Sequence, residues 1–423
     1  MKESPNRMLL KKLALPTSSA AARKLLVAGL AAFMAFLPVL NAAAQTVDTD
    51  PLNRDGLVQQ AFQRFYNMDY AGALARFEKV QAEHPADPIA TDYVLYVTIF
   101  RELFRLDLLD TTFYANDGFL TGKHTVVEDP RVRDQVKALA DKAFNQANDA
   151  LKKNPNDVNA LFARGWARSL EATYMAIVER SFGAALKLAY GAKNDHKKVL
   201  QLDPNYVDAK MVVGVYEYVV GALPFTFKLL IGFAGIHGSK SEGMATLQDA
   251  ANRGVITSVE SRTAMAFFLR REDKYQQALT INHTLVTEYP RDFLFCLEHA
   301  NLAKDAGDGM KAIALYRQVI SDAQRPGYFA SFHLELAYYG LGDSLRGQHL
   351  YQQSVEAFQE GTFQPTTSPE LKRRCLLATG EVYDLMHQHD KARQQYLAVL
   401  AAGSNTTQGD LARKYMSSPY TAR

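Results

Sequence analysis

The sequence predicts an all-α protein, a right-handed α-solenoid of about eight antiparallel helix pairs with extended central helices. Three observations lead there. Small residues, a ring and a closing proline recur at near-constant spacing; apolar residues between them fall at helical intervals; and short turns bearing Gly or Asp separate the helical stretches. The clearest instance runs from Arg291 to Pro326. With Phe293 as position 1, Ala300 falls at 8, Ala312 at 20, Tyr316 at 24 and Val319 at 27. Small side chains let two antiparallel helices approach to about 8 Å, and a ring at position 24 fills the wider gap beside them. Ala306, Gly307, Asp308 and Gly309 supply the turn, since Gly tolerates the left-handed conformation that ends a helix.

Residues 1–44 come first in chain order and stand apart. Lys2, Arg7, Lys11, Lys12, Arg23 and Lys24 precede an apolar run from Leu25 to Leu40, and Ala42, Ala43 and Ala44 follow it. This is the layout of a secretory signal peptide cut after Ala44, which places the protein in the periplasm or outside the cell. The run is only slightly shorter than the roughly 17–25 residues that span a bilayer, so a retained anchor is the rival reading. Loss of the leader takes six basic residues and one acidic residue from the chain's 48 and 45, leaving a net charge of −2. No basic stripe remains to favour nucleic acid.

Residues 45–54 read as a polar linker, 55–415 as the solenoid and 416–423 as a C-terminal tail. Regular repeats fall at 54–87, 259–292, 293–327, 330–369 and 373–403, and expanded units at 88–157, 158–206 and 207–258. The first repeat carries Leu57, Ala61, Phe65, Ala73, Phe77 and Pro85. The helix from Pro88 to about Leu109 is so rich in Tyr and Phe that burial on more than one side is expected. Residues 110–130 then break the rhythm with Asn116, Asp117, Gly118, Gly122 and Pro130, and long loops inside compact arrays are more often functional or disordered than idle. After Val158 the closing landmarks Ala192, Val199 and Pro204 arrive late, a delay that extra helical turns absorb. Leu411, Ala412 and Tyr415 mark a final helix that caps the exposed end. Cys296 and Cys375 sit near the starts of first helices two repeats apart. Bridged Cα atoms lie within about 7 Å, so the two read as packed small residues rather than a disulfide.

These landmarks resemble the tetratricopeptide repeat, a 34-residue helix-turn-helix unit. A narrower resemblance covers Gly214 to Ala251. There Gly214, Leu223, Pro224, Lys228, Leu229, Leu230, Gly232, Phe233, Gly238 and Gly243 look like a motif of the tetratricopeptide repeat protein 39 and yeast inclusion-body clearance family, with Phe225 where that family often has a second proline. That resemblance implies a non-catalytic helical protein linked to membranes or lipid bodies.

Chemical motifs are sparse. Gly118 to His124 has three residues between its glycines and lacks the Ser or Thr that a phosphate loop needs after Lys123. His387, His389 and Asp390 sit two apart at a turn, not at the i, i+4 spacing of helical metal ligands, and His333 with Glu335 offers no better set. No G-x-S-x-G elbow occurs. The expectation is therefore a non-enzyme with no cofactor, no metal and no catalytic residues.

In the resembled repeats, first-helix positions 2, 5, 9, 12 and 13 line a concave groove. One subclass clamps peptide carboxylates there with Lys at position 5 and Asn at 9. Here position 5 holds Val58, Phe162, Met211, Thr263, Leu297, Leu334 and Leu377, none of them Lys, so that clamp is not expected even though Asn301 stands at 9. The groove is expected to offer Phe62, Trp166, Phe267, Arg270, Arg271, Asn301, Lys304, Tyr338, Glu381 and Asp384 to a protein or peptide partner, since rings with a few Arg are common at interfaces. The alternative is a membrane-surface or lipid-associated protein using the apolar segment 223–235, with Phe225, Phe227, Leu230 and Phe233 either resting on the bilayer or packing within the solenoid. An enzyme without a recognisable motif is the third reading.

Overall fold

The computed structural model describes residues 48–114, 126–223 and 237–422, and seventeen α-helices carry most of them. Among the described residues there is no strand. The leader, the middle of the 110–130 stretch and the apolar residues Phe225, Phe227, Leu230 and Phe233 lie outside them.

The first four helices are α1 (Gly56–Phe65), α2 (Tyr70–Glu83), α3 (Pro88–Arg105) and α4 (Pro130–Lys153); α5 (Val158–Ile177), α6 (Phe182–Leu202), α7 (Ala209–Ala222) and α8 (Lys240–Arg253) follow. Then come α9 (Ser258–Arg271), α10 (Tyr275–Glu288), α11 (Phe293–Asp305) and α12 (Gly309–Ala323). The last are α13 (Leu334–Gly347), α14 (Tyr351–Phe363), α15 (Pro369–Leu385), α16 (His389–Gly403) and the cap α17 (Thr407–Ser417). Odd-numbered first helices pair with even-numbered second helices, and each second helix packs on the next first helix. First helices also touch one another, α11 on α13 and α13 on α15, so they form one layer of the solenoid. Among the described residues the fold is an all-α solenoid of eight antiparallel helix pairs and the capping α17.

Local chemistry sets the helix starts. Asp87, Asp129 and Ser368 stand before Pro88, Pro130 and Pro369, and each side chain accepts a backbone N–H of the first turn. Proline at that position gives up no hydrogen bond, and the cap satisfies an amide that the helix cannot. The turn between paired helices has its own rule. Met68, Arg180, Asp273, Gly307, His349 and His387 all take positive φ, two residues before a second helix begins. Only one of them is Gly. Asp107 adopts the same conformation after α3, but the chain then departs into the 110–130 stretch instead of entering α4.

Packing accounts for the small residues. A Cβ on Gly380 would fall 2.5 Å from the Tyr396 ring, and one on Gly340 would fall 2.4 Å from Tyr316. At Gly243 the obstacle is backbone: a Cβ would lie 2.6 Å from the nitrogen of Tyr218 and 2.7 Å from the oxygen of Gly214. Gly214 and Gly243 are thus the contact at which α7 and α8 cross.

The polar stretch before α1 is not free. Thr49, Asp50 and Asn53 are buried, and the Asp50 N–H donates to the Tyr206 hydroxyl at 3.0 Å. The Thr49 hydroxyl donates to Asp208 at 2.6 Å, and Tyr93 donates to Asn53 at 2.6 Å. Buried backbone and hydroxyls need partners, and the expected linker finds them on α3 and on the residues just before α7. Cys296 and Cys375 are both free thiols, Cys375 fully buried.

Two predictions test this packing. Gly243→Ala should cost about 1–3 kcal/mol of unfolding free energy by overpacking. Gly183→Ala, with nothing within 4 Å of its Cβ, should be neutral or stabilising in the same denaturation. Asp292, 5 % exposed and capping the Phe295 N–H at 2.9 Å, supplies the second. Burial pushes its carboxyl up to about 7, above the unfolded value. The folded state therefore holds the extra proton, and this contribution is complete below about pH 4 and lost as pH rises to about 7. Asp292→Asn keeps the cap and should gain on wild type, by a few kcal/mol, in melts at pH 8 relative to pH 4.

Candidate functional site

The first-helix layer holds most of the expected groove residues, but in two different environments. In the N-terminal units they are core. Phe62 stacks edge-on against Phe77 at 5.1 Å and Tyr93 at 5.8 Å, and Trp166 meets Tyr93 and Tyr96, each at 5.8 Å. Both are buried, because α1, α3 and α5 share one aromatic cluster.

In the C-terminal units the face is polar, and the chain itself covers part of it. After α3, residues 106–114 run across α9, α11 and the start of α13. The Thr111 hydroxyl donates to Glu298 at 2.5 Å and accepts from Arg270 at 2.6 Å. Arg271 donates to the Tyr114 carbonyl at 2.7 Å, and the Tyr114 ring lies 6.3 Å from that of half-buried Phe267. Asn301 donates to Asp110 at 3.5 Å and accepts from the Tyr316 hydroxyl at 2.5 Å. Arg270 is the anchor. It is 3 % exposed and reaches Glu298 at 3.1 Å and Asp305 at 2.5 Å, so its charge is satisfied without water. Burial works against that charge, but the neighbouring carboxylates outweigh it and raise the guanidinium above its ordinary range.

From Arg270 a ladder of alternating charge continues. Lys304 bridges Asp305 and Asp343, each at 3.2 Å, and Arg346 joins Asp343 and Glu381, each at 2.5 Å. Burial alone would raise the Asp343 carboxyl; Lys304 and Arg346 hold it below the usual range instead. Asp384 belongs to a separate network, accepting from the Tyr396 hydroxyl at 2.7 Å and the Tyr420 N–H at 2.9 Å. Tyr338 is half-buried, and burial pushes its phenol up. A cleft of about 920 Å³ opens beside the ladder, lined by Lys304, Asp343, Arg346, Gln348, Tyr415 and Tyr420 among others. The C-terminal tail forms one wall.

Asp107, Asp110, Thr111 and Tyr114 belong to no motif in the sequence. The broken rhythm after Leu109 was the signal available, but nothing local says which face that stretch covers. The structure also unites His333 and Glu335 with Asp107. His333 Nδ1 lies 2.5 Å from Asp107 Oδ1 and 3.1 Å from Glu335 Oε1. Burial opposes an imidazolium there, but the two carboxylates outweigh it and push His333 up to about 9. His387, His389 and Asp390 do not converge in this way; His389 Nδ1 instead lies 2.8 Å from Asp384.

No family model matches the sequence, and no curated protein matches it. Solved structures do match. A chain of the APC/C hetero-tetramer Cut9–Hcn1 is 14 % identical, over 87 % of this chain and 57 % of its own, with a TM-score of 0.49. This chain thus spans little more than half of that one. A tetratricopeptide repeat protein from Parabacteroides merdae is 14 % identical over 76 % of this chain and 97 % of its own, at a TM-score of 0.34. Yeast Tom70 is 12 % identical over 85 % and 94 %, at 0.41. Similarities this distant concern the helical-repeat fold alone, and none bears on the narrower resemblance of Gly214 to Ala251.

Removing Arg270 strands Glu298 in a largely dry environment and leaves Asp305 with Lys304 alone. Arg270→Ala should therefore cost about 3–5 kcal/mol in urea denaturation. Arg271→Ala loosens the crossing segment without touching Arg270 instead, and limited proteolysis should then cut within residues 106–114 several-fold faster while the melting temperature changes little.

Proposed function

We propose that this chain is an exported, non-catalytic scaffold that holds a protein or peptide partner on its first-helix face. The observation that carries this reading is the cleft of about 920 Å³ beside the charge ladder. It lies where successive first helices present Lys304, Asp343 and Arg346. These residues are paired yet about a quarter exposed, so a partner's charged groups can reach them from the cleft. The segment 106–114 already occupies the face of α9 and α11, which leaves the face of α13 and α15 beside the cleft for a partner. The basic opening, apolar run and alanine ending of residues 1–44 support export.

The alternative, a membrane-surface role for the apolar segment, rests on residues outside the described ones. Among the described residues, no helix is long and apolar enough to cross a membrane.

Affinity capture from an envelope extract with the chain lacking residues 1–44 tests the proposal. A partner should be retained by wild type and by Gly183→Ala, and largely lost from Lys304→Ala/Arg346→Ala. Capture that survives the double change moves the site away from the cleft. An empty wild-type capture removes the scaffold reading.

A further inference from the structure

The turn that ends α3 and the start of α13 bring three ligand-type side chains to one point. Ligand atoms of Asp107, His333 and Glu335 lie within 4.8 Å of one another, the one such group of three among the described residues. His333 is 7 % exposed and Glu335 0 %. Although Asp107 and Glu335 approach the imidazole closely, neither lies along a well-directed hydrogen bond. His333 Nδ1, Glu335 Oε1 and both carboxylate oxygens of Asp107 are buried without one. Buried polar atoms left without a hydrogen bond are rare and call for an explanation.

Their surroundings are those of a built site. The second oxygen of Glu335 accepts from the Thr366 hydroxyl at 2.7 Å, which fixes the carboxylate and leaves Oε1 directed at His333. Outer partners of this kind orient metal-binding carboxylates. The Phe104 ring stands edge-on 4.2 Å from the imidazole and limits its rotation. Asp107 is held by the left-handed turn after α3, with its N–H donating to the Phe104 carbonyl at 3.0 Å. On the far side lies a cavity of about 480 Å³, lined by Asp107, His333, Asp110, Thr367 and Arg374 among others.

We propose that Asp107, His333 and Glu335 bind one divalent transition-metal cation, with its remaining coordination positions open to the adjoining cavity. One imidazole and two carboxylates form a nitrogen-oxygen set that suits zinc, cobalt or manganese; calcium and magnesium prefer oxygen alone. Two carboxylates also balance the ion's charge in a buried place. Bonds of about 2.0–2.2 Å set tetrahedral ligands roughly 3.3 Å apart. The His333–Glu335 separation of 3.1 Å is close to that, and the His333–Asp107 pair at 2.5 Å opens on binding. The ion would join the end of α3 to α13 and so pin the segment that follows, residues 108–114, across the first-helix face. The competing occupant is a proton, with His333 as an imidazolium shared between two carboxylates.

The test titrates the full chain, first stripped with a chelator, with Zn²⁺ by calorimetry and with Co²⁺ by visible absorption. Wild type should bind a single equivalent of each and gain melting temperature with Zn²⁺. Asp107→Asn and His333→Gln should each weaken binding about tenfold or more, and Thr366→Val about tenfold through the lost carboxylate support. Should His333→Gln fail to fold, Asp107→Asn carries the result, its fold checked by circular dichroism. Absence of saturable Zn²⁺ and Co²⁺ binding by wild type overturns the proposal in favour of the proton. Binding that Asp107→Asn leaves unchanged overturns it too, because the ion then sits elsewhere.

Discussion

A guanidinium buried at the end of α9 constrains much of this molecule. Arg270 cannot be removed from water unless carboxylates and a hydroxyl surround it, and Glu298, Asp305 and Thr111 do so from two separate parts of the chain. Two of those partners come from the neighbouring first helix. The third comes from the stretch that leaves the repeat pattern after α3. The residue most naturally read as groove lining is thus the residue that fixes the crossing segment in place.

The same pairing shapes what the face can offer. Charge alternates from Arg270 through Asp305, Lys304, Asp343 and Arg346 to Glu381, so each first helix is electrostatically tied to the next. Its buried end is structural, because stripping one partner leaves an unpaired charge in low dielectric. Its open end borders the cleft, where Lys304, Asp343 and Arg346 are each about a quarter exposed.

The repeat itself was legible in the sequence because it follows from sterics with a short range. Ala300, Gly380 and the rings of Tyr316 and Tyr396 announce helix crossings. Turn geometry was only partly legible. Gly307 advertises its left-handed conformation, but Met68, Arg180 and His349 adopt it without any local sign, held there by the helices on either side. The candidate site was the least legible. Phe62 and Trp166 have the composition of an interface and lie in a core, since a ring's type does not reveal whether a third helix covers it. Asp107 gained meaning only when the chain brought it beside His333 and Glu335, a long-range pairing that no spacing encodes. The polar stretch at Thr49 to Asn53 misled in the opposite direction: its hydrogen-bonding groups are satisfied by Tyr206, Asp208 and Tyr93 rather than by water.

Residues 106–114 are a seated part of the first-helix face. Hydrogen exchange on the native full chain measures this directly. Amides of residues 106–114 should exchange on the slow timescale of α9 and α11, because their opening requires release of the Arg270 and Arg271 contacts. Exchange of that segment as fast as the C-terminal tail, with α9 and α11 still protected, would contradict the account.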